Sequence, residues 1–268
     1  FAMINRGEPQ LLWPEGAPGL DSADPVFAPT ITPFPIETRE PAGCVVVLPG
    51  GGYSHRAPHE GAPIAEALNE RGFAGCVCDY RVSPYRHPYP LMDAQRAIRW
   101  VRANAEALGV NPAQVGILGF SAGGHLASTA ATHWDEGIEG DDALSRFSCR
   151  PDAAILCYPV VSSGPNAHQG SFINLLGENP PADLLENLSN ELQVNASTPP
   201  TFLWHTADDP GVPVQNSLLF AQACAAHKVP FELHVYGSGR HGLGLAPEQP
   251  HVASWIDLCG EWLSEIWG

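Results

Sequence analysis

An α/β fold is what the sequence predicts, with a mostly parallel sheet carrying helices on both faces. Two observations lead there. Short β-branched and apolar runs alternate along the chain with longer segments of helical period, the pattern of parallel strands joined by crossover helices. One strand-like run, at 114–118, then leads into a Gly-rich turn that opens a small-residue helix at 122–131. A chain of 268 residues with 44% hydrophobic content has enough material to bury one large core, so residues 1–268 are expected to form a single domain.

The elements follow in order. Eight prolines fall in the first 41 residues, at positions 9, 14, 18, 25, 29, 33, 35 and 41. An interior proline costs a helix about 3 kcal/mol. Residues 1–42 are therefore expected to be extended, wrapping the sheet and adding edge strands, and to build no helical cap. Strands are predicted near 44–48, 74–79, 114–118, 153–158, 201–206 and 231–236. Helices are predicted near 59–71, 91–107, 122–132, 213–227 and 250–266. In the last, Val252, Trp255, Ile256, Cys259, Trp262, Leu263 and Ile266 recur on one face, which reads as core. Pro112 is expected to end the helix that precedes the third of these strands. Residues 162–197, rich in Asn, Ser and Pro, read as an insertion that walls a pocket, with a short helix around 183–190.

Composition excludes several partners. There are 29 acidic against 13 basic residues, a formal charge of −16, which repels nucleic acid and anionic lipid and leaves neutral sugars or small esters as substrates. No run of about 18 apolar residues exists, so no membrane span is expected. Seven cysteines, an odd number, argue against a complete disulfide framework. Cys44, Cys76, Cys78 and Cys157 fall in predicted core strands, where a thiol acts as a small hydrophobe. That favours a cytoplasmic setting. The residues ahead of Met3 read as an expression scar, and removal of a leader would instead make the protein secreted or periplasmic.

The chemistry sits at strand ends. In Gly119-Phe120-Ser121-Ala122-Gly123-Gly124, a Ser occupies the apex of a strand–turn–helix with Gly two positions to either side. Such a turn lifts the hydroxyl above the sheet, but a Ser needs a base that an acid holds in place. The strand at 201–206 ends in Asp208-Asp209, and the strand at 231–236 leads into Gly237-Ser238-Gly239-Arg240-His241-Gly242. Ser, acid, His is the chain order of the α/β-hydrolase fold. Ser121 is thus the expected nucleophile and His241 the general base. Asp209 is the favoured acid, because Asp209-Pro210-Gly211-Val212-Pro213 has the Asp, two spacers, Val, Pro pattern that follows the acid in many such hydrolases. Asp208 would then brace the loop.

Upstream, an apolar run ends in Pro49-Gly50-Gly51-Gly52-Tyr53. Backbone N–H groups aimed at a tetrahedral oxyanion can each contribute about 2.7–4 kcal/mol, and glycines let that backbone approach a substrate. Gly51, Gly52 and Ala122 are the expected donors. No Lys follows the glycines as a phosphate loop requires, and dinucleotide-binding spacing is absent. Tyr53, Tyr80 and Tyr158, near strand ends, are expected to line the substrate pocket. Arg81 is read as a loop brace and His125 as a core histidine. Pro58 separates His55 from His59, so no metal site is expected, and no cofactor is implied.

These motifs carry a resemblance. With Asp79-Tyr80-Arg81-Val82, Pro90-Leu91-Met92-Asp93, His205-Thr206-Ala207-Asp208-Asp209 and His241-Gly242-Leu243-Gly244, the chain resembles α/β-hydrolase esterases related to the hormone-sensitive-lipase group. It is more similar to a bacterial branch of carbohydrate acetyl esterases, often labelled xylan esterase or xylanase-like. The resemblance implies a Ser121–His241–Asp209 triad and removal of acetyl groups from xylan-type carbohydrates through an acyl-enzyme. Lipase-like relatives have His before the three glycines where this chain has Pro49, which suits the carbohydrate branch. The alternatives are a feruloyl or general short-chain carboxylesterase, or a non-catalytic α/β-hydrolase binding module. A binding module would need a lost triad member, and the sequence shows none lost.

Overall fold

The computed structural model describes residues 4–20, 28–140 and 142–268. The residues ahead of Met3 that read in the sequence as an expression scar, and residues 21–27 of the segment expected to be extended, with Pro25 among them, lie outside the described residues. Among the described residues, eight strands form one sheet: β1 (Gln10–Leu11), β2 (Thr30–Phe34), β3 (Ala42–Leu48), β4 (Ala74–Asp79), β5 (Val110–Phe120), β6 (Ala153–Cys157), β7 (Thr201–Thr206) and β8 (Phe231–Tyr236). Their order across the sheet is β1-β2-β4-β3-β5-β6-β7-β8. The pairings from β4 through β8 are parallel, and among the described residues the antiparallel pairings are those that β2, from the Pro-rich segment, makes with β1 and with β4.

Burial of both sheet faces explains the unbroken apolar runs. Along β3, Cys44, Val46 and Leu48 join one core, while Val45 and Val47 join the other, as alternating side chains must. The first core is closed by α2 (Tyr89–Ala103), α4 (Ala122–Thr132) and α7 (Gln215–Ala226), through Ala94, Ile98, Leu126, Ala130 and Phe220. The second is closed by α1 (Ala62–Asn69) and α9 (Trp255–Trp267), through Ile64, Leu68, Trp255, Cys259 and Leu263. All seven cysteines are buried free thiols, and burial raises those of Cys78 and Cys157 well above the ordinary thiol range.

Several boundaries differ from the sequence reading. The segment at 91–107 is two helices, α2 and α3 (Ala105–Leu108), and α3 ends at Gly109 in the left-handed region (φ 67°). Gly109 therefore stops the helix before Pro112 is reached, and Pro112 lies inside β5. Pro250–Ala253 forms a separate turn, α8, ahead of α9. The segment 162–197 holds α5 (Gln169–Leu176), which its polar composition hides, as well as α6 (Ala182–Asn187).

The N-terminal segment is pinned by a buried ion pair. Arg81 and Asp93 have side chains 0% exposed, joined by Nε–Oδ2 and Nη2–Oδ1 hydrogen bonds of 2.8 Å each. Trp13 Nε1 donates to Asp93 Oδ1 (3.0 Å), and Arg81 Nη1 donates to the carbonyl of Pro18. The extended segment is thus tied to α2 by charge-assisted bonds rather than by helix packing. Arg81 braces a loop.

Candidate active site

Strand β5 ends at Phe120 and α4 begins at Ala122, so Ser121 alone makes the turn. Its backbone (φ 54°, ψ −117°) is one that L-residues rarely adopt, and the surroundings hold it there. Ser121 N–H donates to Cys157 O, and Ser121 O accepts from Val160 N–H, both at 3.0 Å. Small neighbours are obligatory: a Cβ at Gly119 would overlap the carbonyl of Gly123, and a Cβ at Gly123 would overlap that of Leu48. Although Ser121 occupies the N-cap of α4, its side chain makes no cap bond. The hydroxyl is used elsewhere.

Its partner is His241, whose Nε2 lies 2.8 Å from Ser121 Oγ. On the other side of the ring, Nδ1 lies 2.7 Å from Asp209 Oδ2. Asp209 Oδ1 accepts the N–H groups of Gly211 (2.8 Å) and Val212 (3.0 Å). Burial opposes ionisation of Asp209, yet hydrogen bonds from His205 and His241 and from Val212 N–H outweigh it and hold the carboxyl well below the ordinary range. An ionised carboxylate only accepts, so Nδ1 carries the imidazole proton and Nε2 presents its lone pair to the serine hydroxyl. Of the two adjacent acids, Asp208 turns away: it accepts Ser238 Oγ–H (2.7 Å) and Gly239 N–H (2.8 Å), bracing the loop that carries His241.

The three-glycine loop after β3 borders the same cleft, a cavity of about 410 Å³ whose walls include Gly51, Gly52, Ser121, His168, Asn174 and His241. Gly51 (φ 133°) and Gly52 (φ 62°) occupy backbone that disfavours side chains. The N–H of Gly50 is committed to Glu60 Oε2 (2.7 Å). Among the described residues, those of Gly51, Gly52 and Ala122 donate to no protein acceptor.

Three supports of the cleft escape sequence reasoning. Glu60, 2% exposed, accepts Gly50 N–H through one oxygen and the Tyr158 hydroxyl (2.6 Å) through the other. That hydroxyl in turn accepts Gly244 N–H (2.8 Å), so one buried carboxylate ties the glycine loop to the His241 loop. The second support, Asn174 on α5, donates through Nδ2 to Gly52 O (2.8 Å). His168, the third, caps α5. Glu60 stands eight residues after Gly52 in a Pro-led turn, a spacing that could have suggested a loop anchor. Nothing local marks His168 or Asn174.

The expected pocket role of Tyr53, Tyr80 and Tyr158 is corrected. All three are at most 1% exposed. Positive φ at Tyr53 (59°) and Tyr158 (35°) takes both out of strand alternation, and every hydroxyl is used inside the protein. Tyr53 donates to His125 Nδ1 (2.8 Å), and Tyr80 donates to Pro49 O (2.5 Å). Tyr158 packs edge-on against the His241 ring, with centroids 5.1 Å apart, and supports it from below the cleft. His125 is a core histidine whose Nε2–H reaches Leu188 O (2.8 Å); burial pushes its pKa down to about 4. His59 Nε2 donates to Gly242 O (2.9 Å).

A parallel sheet with a Ser, His and Asp converging at its C-terminal edge defines an α/β-hydrolase. The family model BD-FAE matches residues 33–224, and the chain belongs to that family. A solved structure, an acetyl ester-xyloside bifunctional hydrolase from Caldicellulosiruptor lactoaceticus, is 49% identical with a TM-score of 0.96, covering 99% of this chain and 98% of that one. An acetylxylan esterase of Xylanibacter ruminicola is 34% identical over 85% of this chain and 47% of its own length. Endo-1,4-beta-xylanase B of Butyrivibrio fibrisolvens is 40% identical over 77% of this chain and 33% of its own length. The chain therefore spans less than half the length of these two curated relatives.

Proposed function

We propose that this protein is a serine esterase that removes acetyl groups from xylan-type carbohydrates. The observation that carries the reading is the unbroken hydrogen-bonded line Asp209–His241–Ser121, opening into a cleft bordered by glycine N–H groups. Ser121 Oγ attacks the ester carbonyl carbon while His241 Nε2 takes the hydroxyl proton. The carbonyl oxygen becomes an oxyanion held by the N–H groups of Gly51, Gly52 and Ala122. Collapse breaks the bond to the sugar oxygen, which receives the proton from His241. Water then repeats the sequence on the acetyl-enzyme and releases acetate.

The substrate class is supported by the similarity to an acetyl ester-xyloside hydrolase and to an acetylxylan esterase. The acidic chain suits a neutral sugar, and among the described residues the N-terminal segment contributes strands β1 and β2 and no helix that could enclose a long acyl chain. A further methylene contributes only about 0.8 kcal/mol even when fully buried. Nitrophenyl esters from acetate to octanoate, measured beside acetylated xylo-oligosaccharides, test the reading. The expected result is a preference for acetyl, with acetate released from the oligosaccharide. A steady rise in kcat/KM toward octanoate with no acetate release would leave a general carboxylesterase.

A further inference from the structure

His168 lines the cleft with one nitrogen fixed and, among the described residues, the other without a partner. Its Nδ1 accepts the backbone N–H of Ser171 (3.3 Å) as the N-cap of α5, and the Ser171 hydroxyl lies 2.8 Å from the same atom. A backbone N–H can only donate, so Nδ1 bears no proton and the neutral ring carries its hydrogen on Nε2. Among the described residues nothing bonds Nε2. Burial lowers the pKa of His168, the charge of His241 lowers it further, and Asp209 opposes them. The ring is accordingly neutral at pH 7, and it lines the same cleft as Ser121 and His241.

That neighbourhood decides what an Nε2–H can touch. The leaving sugar oxygen must reach His241 Nε2 to receive its proton, so a donor that shares the cleft wall with His241 is within the space the leaving sugar occupies. A neutral, fixed N–H matches an uncharged acceptor such as a hydroxyl or ring oxygen. The cleft walls around it, with Ser54, His55, Asn174 and the glycines, add polar groups, and no Lys or Arg stands among the described residues that line it. We propose that His168 is a specificity-determining residue whose Nε2–H hydrogen-bonds a hydroxyl or ring oxygen of the acetylated sugar. This proposal rests on the esterase reading for its substrate but not for its geometry.

Two substitutions separate the cleft contact from the helix cap. His168→Asn keeps an acceptor for Ser171 N–H, since Asn is a good N-cap, but its side chain ends short of the cleft. His168→Gln carries an amide N–H to about the reach of Nε2. In His168→Asn, the ratio of kcat/KM for an acetylated xylo-oligosaccharide to that for nitrophenyl acetate is expected to fall about tenfold, the worth of one hydrogen bond. His168→Gln is expected to recover most of that ratio, and the thermal midpoint of His168→Asn to stay at the wild-type value. Calorimetry in a Ser121→Ala background reads the same contact without turnover: the Kd for the oligosaccharide should rise about tenfold on adding His168→Asn. If the wild type cleaves no ester, the esterase reading fails while this binding arm still reports on His168. An unchanged ratio or Kd, equal losses in the Asn and Gln variants, or no oligosaccharide binding at all would overturn the proposal.

Discussion

Replacing Asp209 by Asn tests the electrostatics of the candidate site most sharply. The short bonds of the carboxylate divide between its oxygens: Oδ1 accepts Gly211 and Val212 N–H at 2.8 and 3.0 Å, and Oδ2 accepts His241 Nδ1–H at 2.7 Å, with His205 Nε2 farther off at 3.5 Å. An Asn side chain has only one acceptor oxygen. The two loop N–H groups, being unable to do anything but donate, will claim it, and the NH₂ then faces His241. Nδ1 must become the acceptor, the ring proton moves to Nε2, and Ser121 loses its base with little change in geometry. The expected fall in kcat is about 10⁴, or about 5.4 kcal/mol of transition-state stabilisation. Initial rates on nitrophenyl acetate, corrected for free enzyme, measure it. Asp208→Asn, at a carboxylate bonded to Ser238 and Gly239, is expected to stay within about threefold and to act through loop stability. Asp209→Asn retaining a tenth of wild-type kcat, or Asp208→Asn being the variant that collapses, would refute the reasoning.

Other expectations follow from buried groups. Tyr158→Phe leaves Glu60 Oε1 and Gly244 N–H without their partner, which should cost about 2–4 kcal/mol in denaturant unfolding together with a loss of kcat; unchanged stability and kcat would remove the relay from the account. His125, lowered to about 4 in the folded protein, binds fewer protons than in the unfolded chain, so its contribution is full above about pH 6.5 and is lost as pH falls toward 4. That loss amounts to about 3 kcal/mol, and in His125→Gln the unfolding free energy should fall less steeply across this window; parallel curves would contradict it. Asp209 has the opposite chemistry: its folded pKa is depressed, so its contribution is present above about pH 4 and lost below, and the stability gap between wild type and Asp209→Asn should narrow as pH falls through that region.

Local sequence carried most of the strands and the meeting of Ser121, Asp209 and His241, because each of these residues follows within a few positions a recognisable strand, continuously buried at the ends of β5 and β7 and alternating in β8. Parallel order then brings the ends of β5, β7 and β8 to one edge. The strand-end tyrosines misled for the same reason. Position after a strand indicates the edge of the sheet, but it does not report the left-handed backbone that turns Tyr53 and Tyr158 inward. Glu60, His168 and Asn174 reach the cleft through packing between segments far apart in sequence, and α5 in particular lies in a polar stretch with no strong period. The helix breaks at Asn104 and Ser254 were likewise hidden, since the apolar pattern runs through both.

Acetate released from an acetylated xylo-oligosaccharide by wild-type protein and by Ser121→Ala, side by side, tests the central claim most directly. Wild type is expected to release acetate, and loss of the nucleophile should slow release about 10⁶-fold, as removal of the serine does in a comparable triad. Equal release by the two proteins, or none from either, would contradict the assignment of Ser121 as the nucleophile of a carbohydrate acetyl esterase.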